Sequence, residues 1–235
     1  MRSITSANDF LAYIGGLTSN SHGVFRGVSR YPDYKLIPTL GRMAEYKSRD
    51  PEAREELEAG MLERFRKIAI QFEPSIPENR WDLLSVAQHH GLPTRLLDWT
   101  TNPLVAIYFA CESALDADGA LYAFQIKRFN APPIDPFSIE AGLVLELSYN
   151  SRRVAAQAGV FTVHANPCDE LRLGQIQAGI QTIVIKSEAK LPTLSLLNTL
   201  GVNRSRLFPD LPGICTHLRW EIENGILPLT GSSRS

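Results

Sequence analysis

The order of patterns along the chain predicts an α+β fold. Helical periodicity dominates the early part, and short β-rich runs arrive late, in a cluster beginning at Ala120 and closing at Lys186. A doubly wound parallel sheet would interleave the two patterns from the start. No internal repeat, long linker or low-complexity tract divides the chain, so residues 1–235 are expected to form a single domain.

Residues 7–17 read as a short helix, followed by a Thr18-Ser19-Asn20-Ser21 turn and a strand over His22–Arg26. Between Pro51 and Phe72, the residues Leu57, Met61, Phe65, Ile68 and Phe72 recur at helical spacing. That spacing predicts an amphipathic helix whose Glu/Arg-rich face is solvated. Leu83–His90 reads as another helix, stopped by Gly91 and Pro93. After a short apolar strand around Leu96-Leu97, Asn102 can cap a helix whose first position is Pro103. Leu104, Ile107, Tyr108 and Cys111 give that helix an apolar face, with Cys111 as a small core residue. Ala120–Lys127, Leu143–Leu147, Val160–His164 and Gln181–Lys186 are strand candidates. Helices are expected near Leu194–Leu200 and Leu211–Ile222, and a disordered tail over residues 231–235.

Composition narrows the function classes. With 24 basic and 25 acidic residues the net charge is −1, which argues against a strongly basic, non-specific nucleic-acid binder but leaves room for a local basic pocket. The 3 cysteines are scattered and odd in number, so they suggest neither a disulfide framework nor a thiolate zinc site. The amino terminus lacks an apolar signal core and no long apolar run occurs, so the expected location is the cytoplasm, away from any membrane.

Four blocks carry candidate chemistry. The first is Val24-Phe25-Arg26-Gly27, followed by Tyr34, Leu36, Pro38 and Arg42. The second runs from Gln88-His89-His90-Gly91 through Arg95 and Asp98-Trp99-Thr100-Thr101-Asn102-Pro103 to Tyr108-Phe109-Ala110. The third is Arg153 to Thr162, which includes Gln157 and Phe161, and the fourth is Leu207-Phe208-Pro209-Asp210-Leu211. Together these blocks resemble the FRG domain over about residues 20–220. FRG is a motif name and says little about activity. FRG proteins look like bacterial and phage-associated effectors, which implies a toxin or antiphage role and an antitoxin or immunity protein as a partner.

A more distant resemblance implies more. In the ADP-ribosyltransferases of the Arg–Ser/Thr–Glu type, an Arg-Gly pair ends the first strand, and here Arg26-Gly27 looks like that element. Thr100-Thr101-Asn102-Pro103, running on to Phe109-Ala110, looks like the Ser/Thr-rich strand end that enters a helix. The third element is an acidic residue, whose position here falls to Gln157, a substitution known in some branches. The resemblance implies a split, mostly antiparallel sheet flanked by helices and NAD as substrate, with no metal required. It also implies transfer of ADP-ribose to a macromolecule, either nucleic acid or protein.

The chemistry fits these residue types. A guanidinium on a strand offers a planar fork to a pyrophosphate, and Gly27 would let a ligand approach the backbone. Thr100 and Thr101 could orient a ribose, while Trp99, Tyr108 or Phe161 could pack against a base or nicotinamide ring. Cleaving the nicotinamide–ribose bond passes through an oxocarbenium-like state that a group holding a ribose hydroxyl would stabilise. Gln157 could hold such a hydroxyl but could not act as a base.

Each residue also has a plainer reading. Arg26 could cap the sheet or pair with Asp98, and Asp98 could pair with Arg95. Thr100 and Thr101 could be helix-entry residues, and Gln157 could serve a tight turn. His90 or His89, with Gln88, could wall the pocket, and Arg152 or Arg153 could contact a phosphate. Glu146, Glu221 and Glu223 are alternative acids. Two rival functions follow: a non-catalytic module binding a nucleotide or a partner, and a metal-dependent nuclease built on His89, His90 and Asp98.

Overall fold

The computed structural model describes residues 2–17, 22–148, 152–171 and 179–226. The expected Thr18–Ser21 turn and the 231–235 tail lie outside these residues. In chain order the elements are β1 (Arg2–Ile4), α1 (Ala7–Gly15), β2 (His22–Val28), α2 (Thr39–Arg42), α3 (Ala44–Lys47), α4 (Pro51–Ala69), α5 (Arg80–His89), β3 (Leu96–Thr100) and α6 (Pro103–Cys111). They continue with β4 (Gly119–Ile126), β5 (Leu143–Leu145), α7 (Arg152–Ala156), β6 (Gly159–Val163), β7 (Gln181–Ile185), α8 (Ser187–Thr199), α9 (Arg204–Leu207) and α10 (Leu211–Glu223). The architecture is α+β. No helix among the described residues is long and apolar enough to cross a membrane.

The strands form one sheet in the order β1-β7-β4-β2-β3-β6-β5, antiparallel except for the β1–β7 pair. The sheet is split in its middle. β2 pairs with β4 along its whole length, from His22↔Ile126 to Val28↔Ala120, and β3 pairs with β6 over its five residues. Between β2 and β3 the register holds one residue pair, Phe25↔Thr100. Beyond that pair, Arg26–Val28 and the start of β3 leave the register, and a gap opens.

Strand alternation assigns the two faces. Phe25, Leu121, Ala123, Ile183 and Ile185 point to one face and pack with α1, α6 and α8. On the same face Leu96, Leu145, Phe161 and Val163 pack with Trp81 and Leu84 of α5 and Leu62 of α4. Val24, Val28, Leu97, Trp99, Tyr122 and Phe124 point the other way, where loop residues Leu36 and Leu171 cover them. The α6 helix begins as the sequence reads: the Asn102 side chain accepts the Leu104 N–H at 3.0 Å and Pro103 holds the first position. Cys111 is fully buried, which pushes its thiol up to about 12.

Two contacts seat the end of β2 on α6. A Cβ on Gly27 would lie 1.7 Å from the Ala106 carbonyl oxygen and 2.6 Å from the Ala110 nitrogen, so the helix occupies the side-chain space. Lys190 of α8, fully buried, donates to the carbonyls of Ser29 (2.7 Å), Ser113 (3.1 Å) and Ala114 (2.8 Å). Its three N–H donors thus tie the end of β2 to the end of α6.

The α4 helix departs from the sequence reading. It ends at Ala69, Phe72 is 83% exposed, and its buried residues are Glu58 and Leu62. The cause is an ion pair. Arg95 is buried at the start of β3, and its Nε and Nη2 donate to the two carboxylate oxygens of Glu58, each at 2.7 Å. Arg95 Nη1 also donates to the Pro136 carbonyl, and the Tyr46 hydroxyl donates to Glu58. Burying the arginine demands its partner, so α4 turns Glu58 inward at the expense of the predicted stripe. Arg95 is therefore not the partner of Asp98.

Removing one member of this pair strands a buried charge. Glu58→Ala should lose about 3–5 kcal/mol of stability by urea denaturation, whereas Glu58→Leu combined with Arg95→Met should be tolerated better than either single change. A Glu58→Ala protein within about 1 kcal/mol of wild type would contradict the assignment.

Candidate functional site

The gap between β2 and β3 is where the candidate residues meet. Arg26 sits at its edge, half-buried, and its Nη1 donates across the gap to the Asp98 carbonyl at 2.5 Å. Its Nε is buried with no partner among the described residues. Burial pulls the guanidinium pKa down, Asp98 opposes the shift, and Arg42 adds to it. An arginine stays charged regardless, so Arg26 is a desolvated cation with an unused donor, a favourable setting for an anion.

A cleft of about 450 Å³ opens at this point, within the range of small-molecule sites. One wall is α6, which presents Ala106, Phe109, Glu112 at its C-cap and the following Ser113. Opposite lie Gln88 and His89 of α5, with Arg153 of α7 and Gln157 just beyond it. Tyr34 and Lys35, with Arg42 of α2, close the side away from α5 and α6. Among the described residues, the cations Arg26, Lys35, Arg42 and Arg153 face only two carboxylates, Asp98 and Glu112, and Arg204 occupies the latter at 2.9 Å. The local field is positive although the chain is nearly neutral.

Of the residues singled out from sequence, Arg26, Gly27, Asp98, Trp99, Thr100, Arg153, Gln157 and Phe161 border the cleft, whereas Thr101, His90 and Tyr108 do not. Gly27 departs from its expected use, since its empty side-chain space admits α6 and not a ligand. Thr100 is buried; its hydroxyl donates to the Gln157 carbonyl at 2.6 Å and accepts from Asn102 N–H, so its donor is committed to the fold. Trp99, 3% exposed, donates its indole N–H to Thr162 and packs edge-on against Phe124, offering no ring face to a ligand. Tyr108 and Phe161 are likewise core residues.

Asp98 accepts the Gln88 amide at 2.6 Å, through an oxygen other than the carbonyl that Arg26 uses. Gln157 follows α7, and its Nε2 donates to the Leu207 carbonyl at 3.1 Å, which fixes the plane of its amide. Burial, Arg153 and His90 all lower the pKa of His89, so its imidazole resists protonation. Among the described residues no group of three His, Cys, Asp or Glu is placed to hold a metal ion. Glu146 is exposed, Glu221 pairs with His217, Glu223 pairs with Arg219, and none of these three acids borders the cleft.

Sequence reasoning missed Lys35 and Glu112. Lys35 stands beside the singled-out Tyr34, and that proximity was its only signal. Glu112 directly follows a helix of nine residues without a charge, where a first polar residue reads as ordinary solvation. The fourth block proves to be a clamp. Arg153 and Arg204 lie 4.5 and 4.3 Å from the centre of the Phe208 ring, and Leu207 holds Gln157.

Comparison with known proteins gives one finding: residues 21–119 match the family model of the FRG domain. No curated protein and no solved structure matches the chain. The matched stretch holds β2, α2 to α6 and β3, and therefore both edges of the split and most of the cleft's walls. This match supports placing residues 21–119 of the chain with the FRG domain.

Proposed function

We propose that this protein transfers ADP-ribose from NAD to a macromolecular acceptor, nucleic acid or protein. The observation that carries the reading is Arg26: a half-buried guanidinium whose Nε has no partner among the described residues, at the edge of a positively charged cleft that also contains Gln157. A pyrophosphate is the natural partner for such a fork, and the further cations Lys35, Arg42 and Arg153 suit the same charge. Gln157, its amide plane fixed by Leu207, keeps an Oε1 that could accept a ribose hydroxyl as positive charge develops on the ring. Thr100 supports this indirectly, by holding the Gln157 carbonyl in place. The likeness to bacterial and phage-associated effectors extends the proposal to a toxin or antiphage role in the cytoplasm, restrained by an antitoxin or immunity protein.

A non-catalytic nucleotide-binding module is the second reading. Gln157 favours it, since an amide cannot take a proton. The nuclease alternative would draw on His89 and Asp98, which border the cleft, and on His90, which does not.

Incubating the purified protein with labelled NAD separates the readings. Nicotinamide release supports transfer, binding without turnover supports the module, and metal-dependent phosphodiester cleavage supports the nuclease. Arg26→Ala should weaken NAD binding by about tenfold to a hundredfold, the scale of one charge-assisted hydrogen bond, and Arg26→Lys should restore little of it. Unchanged NAD affinity in Arg26→Ala would remove this residue from the site.

Gln157 tests the chemistry separately from the binding. Gln157→Ala should lower turnover by about ten- to a thousandfold with far less change in NAD affinity, and Gln157→Glu should retain or raise NAD hydrolysis. Loss of activity only in proportion to lost folded protein, read from melting curves, would assign Gln157 to its turn alone.

A further inference from the structure

Transfer to any O–H or N–H acceptor, water included, releases a proton, and the Gln157 amide cannot take it. Among the described residues, the cleft holds two carboxylates that could. Asp98 is exposed, and one of its oxygens accepts the Gln88 amide. Glu112 is the more enclosed, its side chain 21% exposed, and it accepts Arg204 Nη1 at 2.9 Å. We propose that Glu112 is the proton acceptor of the cleft, a role that rests on the transferase reading above.

The placement of α9 supports this. One four-residue helix positions both side chains: its Leu207 carbonyl fixes the amide of Gln157, and its Arg204 guanidinium fixes the carboxylate of Glu112. The two tasks, holding a ribose hydroxyl and removing a proton, are thereby divided between residues set by the same turn. As the acceptor atom bonds to ribose C1, the C1–N bond breaks and its electron pair passes to the nicotinamide ring nitrogen. The acceptor's proton passes to the Glu112 carboxylate and then to solvent. A second hollow, about 100 Å³, lies against Glu112 and is bordered by Tyr108, Arg204, His217 and Trp220. It is roomy enough to hold water beside the carboxylate.

The electrostatics suit the role. Burial raises the Glu112 pKa, while Arg204, a hydrogen bond from Tyr108 and the charge of Arg153 hold the rise in check. The result is a stronger base than a surface glutamate that still ionises. The groups facing it are Tyr108 from α6, Arg153 from α7, Arg204 from α9 and, across the hollow, His217 from α10.

The test follows nicotinamide release from labelled NAD across pH, with water as acceptor. In the wild type, turnover should fall on the acid side as Glu112 protonates. Glu112→Gln, which preserves a hydrogen bond to Arg204, should lower turnover by about a hundredfold or more and abolish that acid limb, with little change in KM for NAD. Arg204→Gln removes the neighbouring cation and should move the acid limb to higher pH, a shift that a purely structural role would not produce. Wild-type turnover with an unchanged rate and acid limb in Glu112→Gln would overturn the proposal and leave the transferase reading standing. If Glu112→Gln fails to fold, an unshifted limb in Arg204→Gln overturns it instead. No nicotinamide release from the wild type at any pH would overturn both.

Discussion

Gly27 has no side chain, and α6 fills the space where one would be, with the Ala106 carbonyl oxygen only 1.7 Å from the position of a Cβ. Much of the molecule depends on that contact. It lets a helix lie directly on β2, and Lys190 then ties the ends of both elements together through three carbonyls. With the end of β2 committed to α6, its register with β3 stops at Phe25↔Thr100, and the opened edge becomes the cleft. Strand alternation then sends Arg26, the residue beside Gly27, to the opposite side of β2 from α6. Its guanidinium spans the opening to Asp98.

The rest of the chain completes what the FRG stretch begins. Residues 21–119 provide the two edges of the split, α5 and α6, but Arg153 and Gln157, which complete the wall opposite α6, lie beyond them. Those residues are held by a segment further on: Phe208 packs beneath Arg153 and Arg204, and Leu207 accepts the Gln157 amide. Arg204 also reaches back to Glu112 at the end of α6. Three stretches distant in sequence thus fix one cleft, which explains why the singled-out blocks are scattered from β2 to α9.

Much of this was legible in the sequence where local chemistry decides the outcome. Asn102 and Pro103 announced the start of α6, Gly91 the end of α5, and strand alternation located β4, β6 and β7 to within a residue or two. What was not legible depended on partners far along the chain. The apolar spacing of α4 suggested one buried stripe, but Arg95 draws Glu58 inward and leaves Phe72 exposed. The three-residue β1 and five-residue α7 are too short to show a period. At the site, Arg26 and Gln157 could be picked out by type. The committed hydroxyl of Thr100, the burial of Trp99 and Tyr108, and the place of Glu112 beside Arg204 all required the fold.

The most direct measurement is therefore on Gly27. Gly27→Ala places a methyl group where the Ala106 carbonyl now lies, so α6 must shift away from β2. Stability should fall in the range of overpacked cores, by about 1–3 kcal/mol or more in urea denaturation, together with lost protection from hydrogen exchange in α6 and along β2. A Gly27→Ala protein with wild-type stability and unchanged exchange in both elements would show that the split does not depend on this contact.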